Sequence, residues 1–191
     1  MGKIIYPNPV KLIFSIISGE DKLFLKAKGL LITFFGIIDI ESDFQPFDYT
    51  SYYRDEMGEG LKQKLVSFEK LIFPDQLSQI KCSSNKWEFL FNSYRTHSYT
   101  SGEKKRKVNF DPGYLTLNKF ILASTKDGPA RIYLKRGIFA EITLRFINKT
   151  YCPLEWTYQN YKTESYISFL NKVREQYKKQ INYYANINYN I

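Results

Sequence analysis

The sequence has very little histidine and cysteine, the side chains on which most metal sites and many nucleophilic mechanisms depend. It contains one histidine, His97, and two cysteines, Cys82 and Cys152, which are far apart in the chain. A zinc site or a His-dependent triad needs several such side chains, so these two classes of site are excluded. We expect both thiols to be reduced and His97 to lie in a solvated loop.

Several strings that carry a defined mechanism are also absent. The sequence contains no G-x-x-x-x-G-K-[ST], whose backbone N–H groups cradle nucleotide phosphates, and no G-x-G-x-x-G, G-x-S-x-G, H-E-x-x-H or C-x-x-C. A P-loop GTPase or ATPase is therefore excluded, whereas nucleotide binding through another fold stays open. Any chemistry must come from carboxylates, Lys, Arg or Tyr, with Mg²⁺ as the metal that suits oxygen ligands.

Long apolar runs are missing too. No stretch approaches the ~18 apolar residues of a membrane span. The first ten residues, MGKIIYPNPV, lack the apolar region of a secretory signal, and Tyr6 stands where the myristoylation pattern requires Ser or Thr. We therefore expect a cytoplasmic protein without a membrane partner.

Acidic residues are scarce in the second half of the chain only. Residues 1–100 contain 12 Lys and Arg against 12 Asp and Glu, whereas residues 101–191 contain 16 against 7, which accounts for the whole net charge of +9. Such one-sided charge indicates a face for a nucleotide, RNA or another polyanion. A/T-rich codon usage is the competing explanation, because the chain is rich in Lys, Asn, Ile, Tyr and Phe.

The apolar periodicity predicts an α+β fold. Strands are predicted at 10–18, 37–41, 61–72 and 108–111, one helix follows Ser18, and another begins at Pro74. The order strand, helix, strand, strand, helix, strand is that of a ferredoxin-like βαββαβ portion, in which two helices cover one face of the sheet. We expect one domain over residues 1–181 and a frayed tail at 182–191.

The C-terminal part is predicted to extend this portion by a β-hairpin and a helix. Residues 115–124 fit neither period cleanly, and we favour a helix there. The hairpin joins Arg131–Leu134 to Ile138–Ile147 through a three-residue loop that ends at Gly137. A short strand at 151–154 and a helix that begins after Thr163 follow.

Polar side chains on this hairpin form one candidate site. The predicted register places Arg131 opposite Glu141, and strand alternation then puts Tyr133, Thr143 and Arg145 on the same face. The face either holds only a solvated ion pair or binds an anion through the two arginines. In the second interpretation Glu141 orients the arginines or holds a metal.

The string Asp111-Pro112-Gly113 predicts a sharp turn, because Pro fixes φ and Gly permits a positive φ. A turn at the end of a strand would aim Asp111 and nearby backbone N–H groups at a ligand, with Lys126 close in the sequence. We interpret it as an anion or Mg²⁺–phosphate site, and Asp111 and Glu141 are the metal ligands if Mg²⁺ binds.

The connection at residues 44–60, FQPFDYTSYYRDEMGEG, has no clean period and is rich in aromatic and acidic residues. Long ordered connections often carry function. It either anchors itself on the sheet through its aromatic rings or covers a ligand, to which Asp48 and Tyr49 would present polar groups.

Five phrases of the sequence are specific as a set. They are FDYTSYYRDEMG, SFEKL, VNFDPGYLTLNKFILASTKD, RIYLKRGIFAEITLRF and PLEWTYQNY. The chain resembles, on these phrases, an uncharacterised prokaryotic domain-of-unknown-function family numbered 4416, over nearly all residues except 92–107 and the C-terminal tail. The resemblance implies no established activity, although some members carry the label GTP-binding protein. Members often have His before the Arg of RIYL; here Ala130 argues against a catalytic histidine.

We expect a binding protein for a phosphate-bearing ligand, a nucleotide or RNA, with contacts from Asp111, Lys126, Arg131, Tyr133, Glu141 and Arg145. One alternative is a metal-dependent phosphohydrolase or nucleotidyl-transfer enzyme, which requires Asp111 and Glu141 to converge with Asp48 or Glu69. Another is a structural or adaptor protein, which requires a large exposed aromatic patch at residues 44–53 or 151–161.

Overall fold

A computed structural model describes residues 2–50, 52–91 and 106–188 of the chain. Within these residues the protein is an α+β fold with one antiparallel sheet. Its strands are β1 (Lys11–Ser18), β2 (Ile38–Glu41), β3 (Gln45–Pro46), β4 (Lys62–Phe68), β5 (Val108–Leu115), β6 (Lys119–Ser124), β7 (Arg131–Lys135), β8 (Ile138–Ile147) and β9 (Thr150–Pro153). Its helices are α1 (Asp21–Phe35), α2 (Tyr52–Met57), α3 (Leu77–Glu88) and α4 (Glu164–Asn188), with 3₁₀ turns at Pro74–Gln76, Phe89–Phe91 and Gln159–Lys162.

The strands follow one another across the sheet in the order β2-β4-β1-β5-β6-β8-β7, while β3 pairs with β4 and β9 with β8. Strand β1 lies between β4 and β5, and all eight of its residues are buried. This confirms the predicted buried strand at residues 10–18. A strand covered on both faces can be apolar at consecutive positions, and five of the eight residues of β1 are apolar.

Helices α1 and α3 cover one face of the sheet. Apolar side chains of α1 recur at helical spacing, and its buried members are Leu23, Phe24, Ala27 and Leu31. They pack with Phe14 of β1, Phe68 of β4 and Phe110 of β5. The helix ends at Gly36, whose φ of +84° is one that glycine adopts easily.

Helix α4 covers the other face. Its buried residues include Tyr166, Leu170, Val173 and Tyr177, which pack on Ile13 of β1 and on the inner side chains of β6 and β8. The hydroxyl of Tyr177 donates to the carbonyl of Pro9 at 2.8 Å. The predicted C-terminal helix is therefore present and closes the second core.

The predicted strand at residues 61–72 differs from the structure in its bounds. Strand β4 ends at Phe68, and Ile72 instead forms an isolated backbone bridge with Val10. Residues 182–188 continue α4 as a helix, while 189–191 and the predicted loop around His97 lie outside the described residues. None of the helices in the described part of the chain combines the length and apolarity that crossing a membrane requires.

The predicted turn at Asp111-Pro112-Gly113 is wrong, because all three residues lie inside β5. Gly113 is needed for close approach rather than for a turn, since a Cβ there would lie 2.5 Å from the carbonyl oxygen of Ile121 in β6. Pro112 is tolerated because β6 pairs with β5 only over Gly113–Leu115. The helix favoured at 115–124 is also wrong: this stretch is the end of β5, a short turn and β6.

The predicted β7–β8 hairpin is present, but its loop is shorter than expected. Arg136 and Gly137 both have positive φ, at 58° and 74°, which is the signature of a two-residue type I′ turn. Lys135 therefore pairs with Ile138, and Leu134 is an extra residue in β7. Arg131 still lies opposite Glu141, as predicted, because this bulge compensates for the shorter loop.

A second bulge lies in β8. Phe120 pairs with Leu144 while Ile121 pairs with Ile142, so Thr143 is the extra residue. Glu141 and Leu144 consequently share a face, and Arg145 points to the opposite one. The prediction that Arg145 shares a face with Glu141 is therefore wrong.

Candidate functional site

The sheet opens between β5 and β6, and this opening, which we call the strand gap, forms the candidate site. The two strands pair only between Gly113–Leu115 and Phe120–Leu122. Beyond that, among the described strands, Val108–Pro112 pair with β1 alone and the end of β6 pairs with β8 alone. The opening is consequently bordered by Asn109 and Asp111 on one side and by the end of β6 on the other.

A cavity of about 810 Å³ occupies the strand gap. Helix α3 contributes from one face of the sheet, the segment before α4 contributes from the other, and the 44–60 connection closes one end. The polar lining residues include Lys81, Asn85, Glu88, Arg106, Asn109, Asp111, Lys126, Arg131 and Glu141. The aromatic lining residues include Phe47, Tyr49, Tyr53, Trp156, Tyr158 and Tyr161.

Two side chains of α3 replace the missing strand partner of Phe110. Lys81 Nζ donates to the carbonyl of Phe110 at 2.8 Å, and Glu88 Oε1 accepts from its N–H at 2.9 Å. Lys81 and Glu88 are two helical turns apart, so they face the same strand. A buried backbone group without a partner is costly, and these two bonds allow the gap to stay open.

The wall formed by α3 and β5 is a continuous network of charged and amide groups. Lys81 Nζ lies 3.1 Å from Asp111 Oδ1, and the amide of Asn109 donates to Asp111 Oδ2 at 2.6 Å. Arg106 donates to Asn109 at 2.7 Å and to Glu88 at 2.9 Å. Buried cations are thus held by buried acceptors, which is how proteins tolerate charge inside.

Burial dominates the electrostatics of this wall. It raises the pKa of Glu88 above its ordinary value, even though Lys81, the Phe110 N–H and Arg106 all favour the carboxylate. Burial alone would lower the pKa of Arg106, but Glu88 and Glu56 outweigh it, so this pKa is raised. Burial also raises the pKa of Tyr161 well above its usual value, so this phenol is neutral.

The opposite wall is built around Arg131. Its Nε donates to Glu141 at 2.8 Å, one terminal nitrogen donates to the carbonyl of Lys126 at 2.9 Å, and the other donates to the hydroxyl of Tyr158 at 3.0 Å. The fork of the guanidinium therefore ties together β8, the turn after β6 and the segment before α4. Both Arg131 and Glu141 are largely buried.

The aromatic lining lies nearer the surface. Phe47 is buried and packs with Met57, Leu61 and Ile17 of β1, which anchors the 44–60 connection on the sheet. Tyr49, Trp156 and Tyr158 are 42%, 45% and 53% exposed. The indole N–H of Trp156 is fixed by the carbonyl of Ile142 at 2.8 Å. These three side chains offer flat, partly exposed surfaces at the cavity mouth.

Five of the eight predicted site residues line this one cavity. They are Tyr49, Asp111, Lys126, Arg131 and Glu141. Tyr133 packs edge-on against Phe139 outside the cavity and is 58% exposed. Arg145 lies on the other face of β8, opposite Lys119, and Asp48 lies next to Tyr49 in the chain without lining the cavity.

Sequence reasoning missed the α3 and β5 wall. Lys81, Asn85 and Glu88 recur at helical spacing beside the apolar stripe of α3, which is a polar line on a helix that packs against a sheet. This line of polar residues on α3 is the sequence signal that could have indicated the wall. Arg106 was hidden in the basic string KKRK, which suggested solvated charge, and Asn109 was hidden in an apolar strand.

The carboxylates do not converge as a metal site requires. Asp111 and Glu141 line the cavity, but each is bonded to a cation, and Asp48 and Glu69 lie outside the lining. Across residues 2–50, 52–91 and 106–188 no group of three His, Cys, Asp or Glu side chains is placed to hold a metal ion. Among these residues the geometry that the phosphohydrolase alternative needs is therefore not met.

The fold and the site define a class of α+β protein whose antiparallel sheet opens around a polar cavity. Comparison with known families matches residues 8–177 to the family described as Domain of unknown function (DUF4416). The chain belongs to this family, which confirms the resemblance seen in its sequence. Neither the curated proteins nor the solved structures give a match to it.

Proposed function

We propose that the protein is a cytoplasmic binding protein for a small phosphate-bearing ligand, with a nucleotide as the class that fits best. The observation that carries this proposal is the strand-gap cavity, in which Lys81, Arg106 and Arg131 lie beneath a mouth of Tyr and Trp side chains. Cationic groups suit phosphate oxygens, and flat aromatic surfaces suit a base.

The size of the cavity favours a mononucleotide over RNA. Its volume of about 810 Å³ falls within the range of roughly 300–1,000 Å³ that small-molecule sites occupy. A polynucleotide is instead bound along an open, positively charged groove that follows its backbone. Here the side chains of Lys81 and Arg131 are largely buried in the walls of the cavity, which favours a compact ligand.

The distribution of the five phrases that carry the family resemblance also supports the cavity as the functional site. Four of the five contribute lining residues, although they are spread between residues 47 and 161. The exception is SFEKL, which is the end of β4 and the loop after it. A shared cavity accounts for phrases that are distant in the chain and differ in secondary structure.

We further infer that β1, α1, β2, β4, α3 and β5 form a ferredoxin-like unit, to which the rest of the sheet and α4 are added. The order β2-β4-β1-β5, antiparallel throughout, supports this, as do the two helices on one face. In that arrangement the added strand β6 joins the unit at its β5 edge, which is where the gap occurs.

The proposal is tested by thermal unfolding with a panel of ligands. Nucleoside mono-, di- and triphosphates, inorganic phosphate, pyrophosphate and a short single-stranded RNA are each added with and without Mg²⁺. A ligand at 100 times its Kd should raise the Tm by about 5 °C or more. The proposal fails if none of the nucleotides moves the Tm, and a shift with RNA alone would point to the other ligand class.

Two neighbouring residues of α3 provide a matched pair of variants. Asn85 lines the cavity, whereas the adjacent Lys86 is exposed and does not. Asn85→Phe should fill part of the cavity and abolish the ligand-induced rise in Tm. Lys86→Phe adds the same ring outside the cavity and should leave the rise intact; equal behaviour of the two variants would place the ligand elsewhere.

A further inference from the structure

We infer that Lys81 is the residue that holds the phosphate group of the ligand, and that Arg131 positions the opposite wall. This inference rests on the proposed function. It differs from the expectations drawn from the sequence, which placed anion binding at the arginines of β7 and β8 or at Asp111 with Lys126. It follows from the burial of the lining residues and from the hydrogen bonds that each cation already makes.

The difference in burial between the two ends of the cavity predicts the orientation of a bound ligand. The floor of the cavity is polar and closed, with Lys81 6%, Asn109 2% and Tyr161 4% exposed. The mouth is aromatic and open, at Trp156 and Tyr158. An anionic group gains most from a cation that is shielded from water, so it belongs at the floor, and a planar group belongs at the mouth.

Lys81 has a hydrogen-bond donor left over at this floor. Its ammonium carries three N–H donors, and the described residues supply two acceptors, the carbonyl of Phe110 and Asp111 Oδ1. Buried donors are normally satisfied, and Lys81 lines the cavity, so the third N–H has the cavity as its remaining direction. A compact ammonium is a common phosphate-binding group.

The hydrogen bonds of Arg131 have a different role from those of Lys81. Three of the five N–H donors of its guanidinium are bonded, to a carboxylate, a carbonyl and a phenol that belong to three separate segments of the wall. Glu141 lies directly opposite it in the sheet and balances its charge. Displacing these bonds would release the turn at Lys126 and the side chain of Tyr158, so Arg131 is a positioning residue.

The test compares two charge-neutral double variants with pyrophosphate and with AMP and GMP as probes. Lys81→Met/Asp111→Asn and Arg131→Met/Glu141→Gln each remove one cation and one anion, so the net charge is unchanged. Affinities are measured by calorimetric titration. We expect the Lys81 pair variant to bind at least 10-fold more weakly than the unmodified protein, and the Arg131 pair variant to lose at most 3-fold.

Each outcome bears on a different claim. A larger loss in the Arg131 pair variant, or equal losses in both, overturns the assignment of Lys81 while the proposed function stands. If the unmodified protein binds none of the probes and no nucleotide raises its Tm, both the assignment of Lys81 and the proposed function are wrong. Lys119→Met, which removes a half-buried cation of β6 outside the cavity lining, serves as a control that should bind normally.

A second measurement applies even if a double variant does not fold. In protein labelled with ¹⁵N-lysine, the Nζ signal of Lys81 is identified by its disappearance in Lys81→Arg. We expect this signal to shift on addition of pyrophosphate, with a dose dependence that matches the calorimetric Kd. A Lys81 signal that stays in place while the probe binds would contradict the inference.

Discussion

The backbone groups at the two ends of strand β5 have different kinds of hydrogen-bond partner. At Gly113–Leu115 a neighbouring strand satisfies the backbone, and the approach is so close that a Cβ at Gly113 would meet the Ile121 carbonyl at 2.5 Å. At Val108–Pro112 that neighbour is gone, and the side chains of Lys81 and Glu88 satisfy Phe110 instead. One end of β5 is held by packing and the other by charge.

This difference explains why a cavity can exist in the middle of a sheet. Strand separation exposes backbone groups, which would normally drive the strands together. Here α3 places a cation and an anion on those groups, and Pro112 has no N–H to leave unsatisfied. The open end is therefore stabilised by the charged side chains that bond to the backbone of Phe110.

The largest expected effect is on the closed end. Gly113→Val would place side-chain atoms against the Ile121 carbonyl and the Phe120 ring. We expect the free energy of unfolding, measured by urea denaturation, to fall by about 3 kcal/mol or more. Gly29→Ala is the control, since nothing lies within 4 Å of the added Cβ in α1; it should leave stability unchanged or raise it by up to about 1 kcal/mol. Similar losses in both variants would refute close packing at Gly113.

The next effect is on the open end. Lys81→Met leaves the Asp111 carboxylate and the Phe110 carbonyl without their cation, and we expect a loss of about 3 kcal/mol in urea denaturation. Adding Asp111→Asn removes the unpaired charge and should restore at least a third of that loss. A double variant as unstable as the sum of the two single ones would mean that Lys81 and Asp111 do not interact.

Arg131→Lys tests the opposite wall with a smaller expected loss. Lysine keeps the charge but cannot reach Glu141, the Lys126 carbonyl and the Tyr158 hydroxyl together. We expect a loss of about 1–2 kcal/mol in thermal or urea unfolding. Faster backbone amide exchange at residues 124–128 should accompany it, and unchanged exchange there would show that Arg131 does not hold this turn.

Glu88 gives a pH-dependent effect. Its raised pKa means that the folded protein binds this proton more tightly than the unfolded chain does. The resulting stability is fully present below the ordinary value of 4.5 and is lost as the pH rises through the raised folded value. Unfolding measured across this window should show that Glu88→Gln, which cannot ionise, lacks this decline. If the stability of the unmodified protein and of Glu88→Gln declined identically with pH, the decline would not come from the ionisation of Glu88.

The smallest effect is expected outside the gap. Tyr133 is 58% exposed and contacts Phe139 beyond the cavity. Tyr133→Ala should change the free energy of unfolding by about 0.5 kcal/mol or less, and ligand-induced shifts in Tm should be the same as in the unmodified protein. A loss of those shifts would return Tyr133 to the site in which the sequence placed it.

The sequence was informative where local chemistry decides the outcome. The apolar run of β1, the stripe of α1 and the opposed pair Arg131 and Glu141 were all predicted correctly, because burial and strand alternation act over a few residues. Asp111, Lys126 and Tyr49 were also drawn from local signals, and they proved to line the same cavity.

The features that sequence patterns did not predict depend on contacts between residues that are far apart in the chain. Pro112 and Gly113 resemble a turn, and only the arrival of β6 beside them shows why a strand tolerates both. Thr143 becomes a bulge because of how β8 meets β6, and this single extra residue moves Arg145 to the other face. Lys81 and Glu88 belong to a polar line on α3, but their role depends on the separation of β6 from β5, which is not local to α3.

The most direct test of the central claim uses Trp156 as a reporter. The chain has two tryptophans, Trp87 and Trp156, and only Trp156 lines the cavity. In a Trp87→Phe variant, titration with nucleotides should change the Trp156 emission in a saturable way, with the same Kd as the rise in Tm. Nucleotide binding that raises the Tm but leaves the Trp156 emission unchanged would contradict a ligand site in the strand gap.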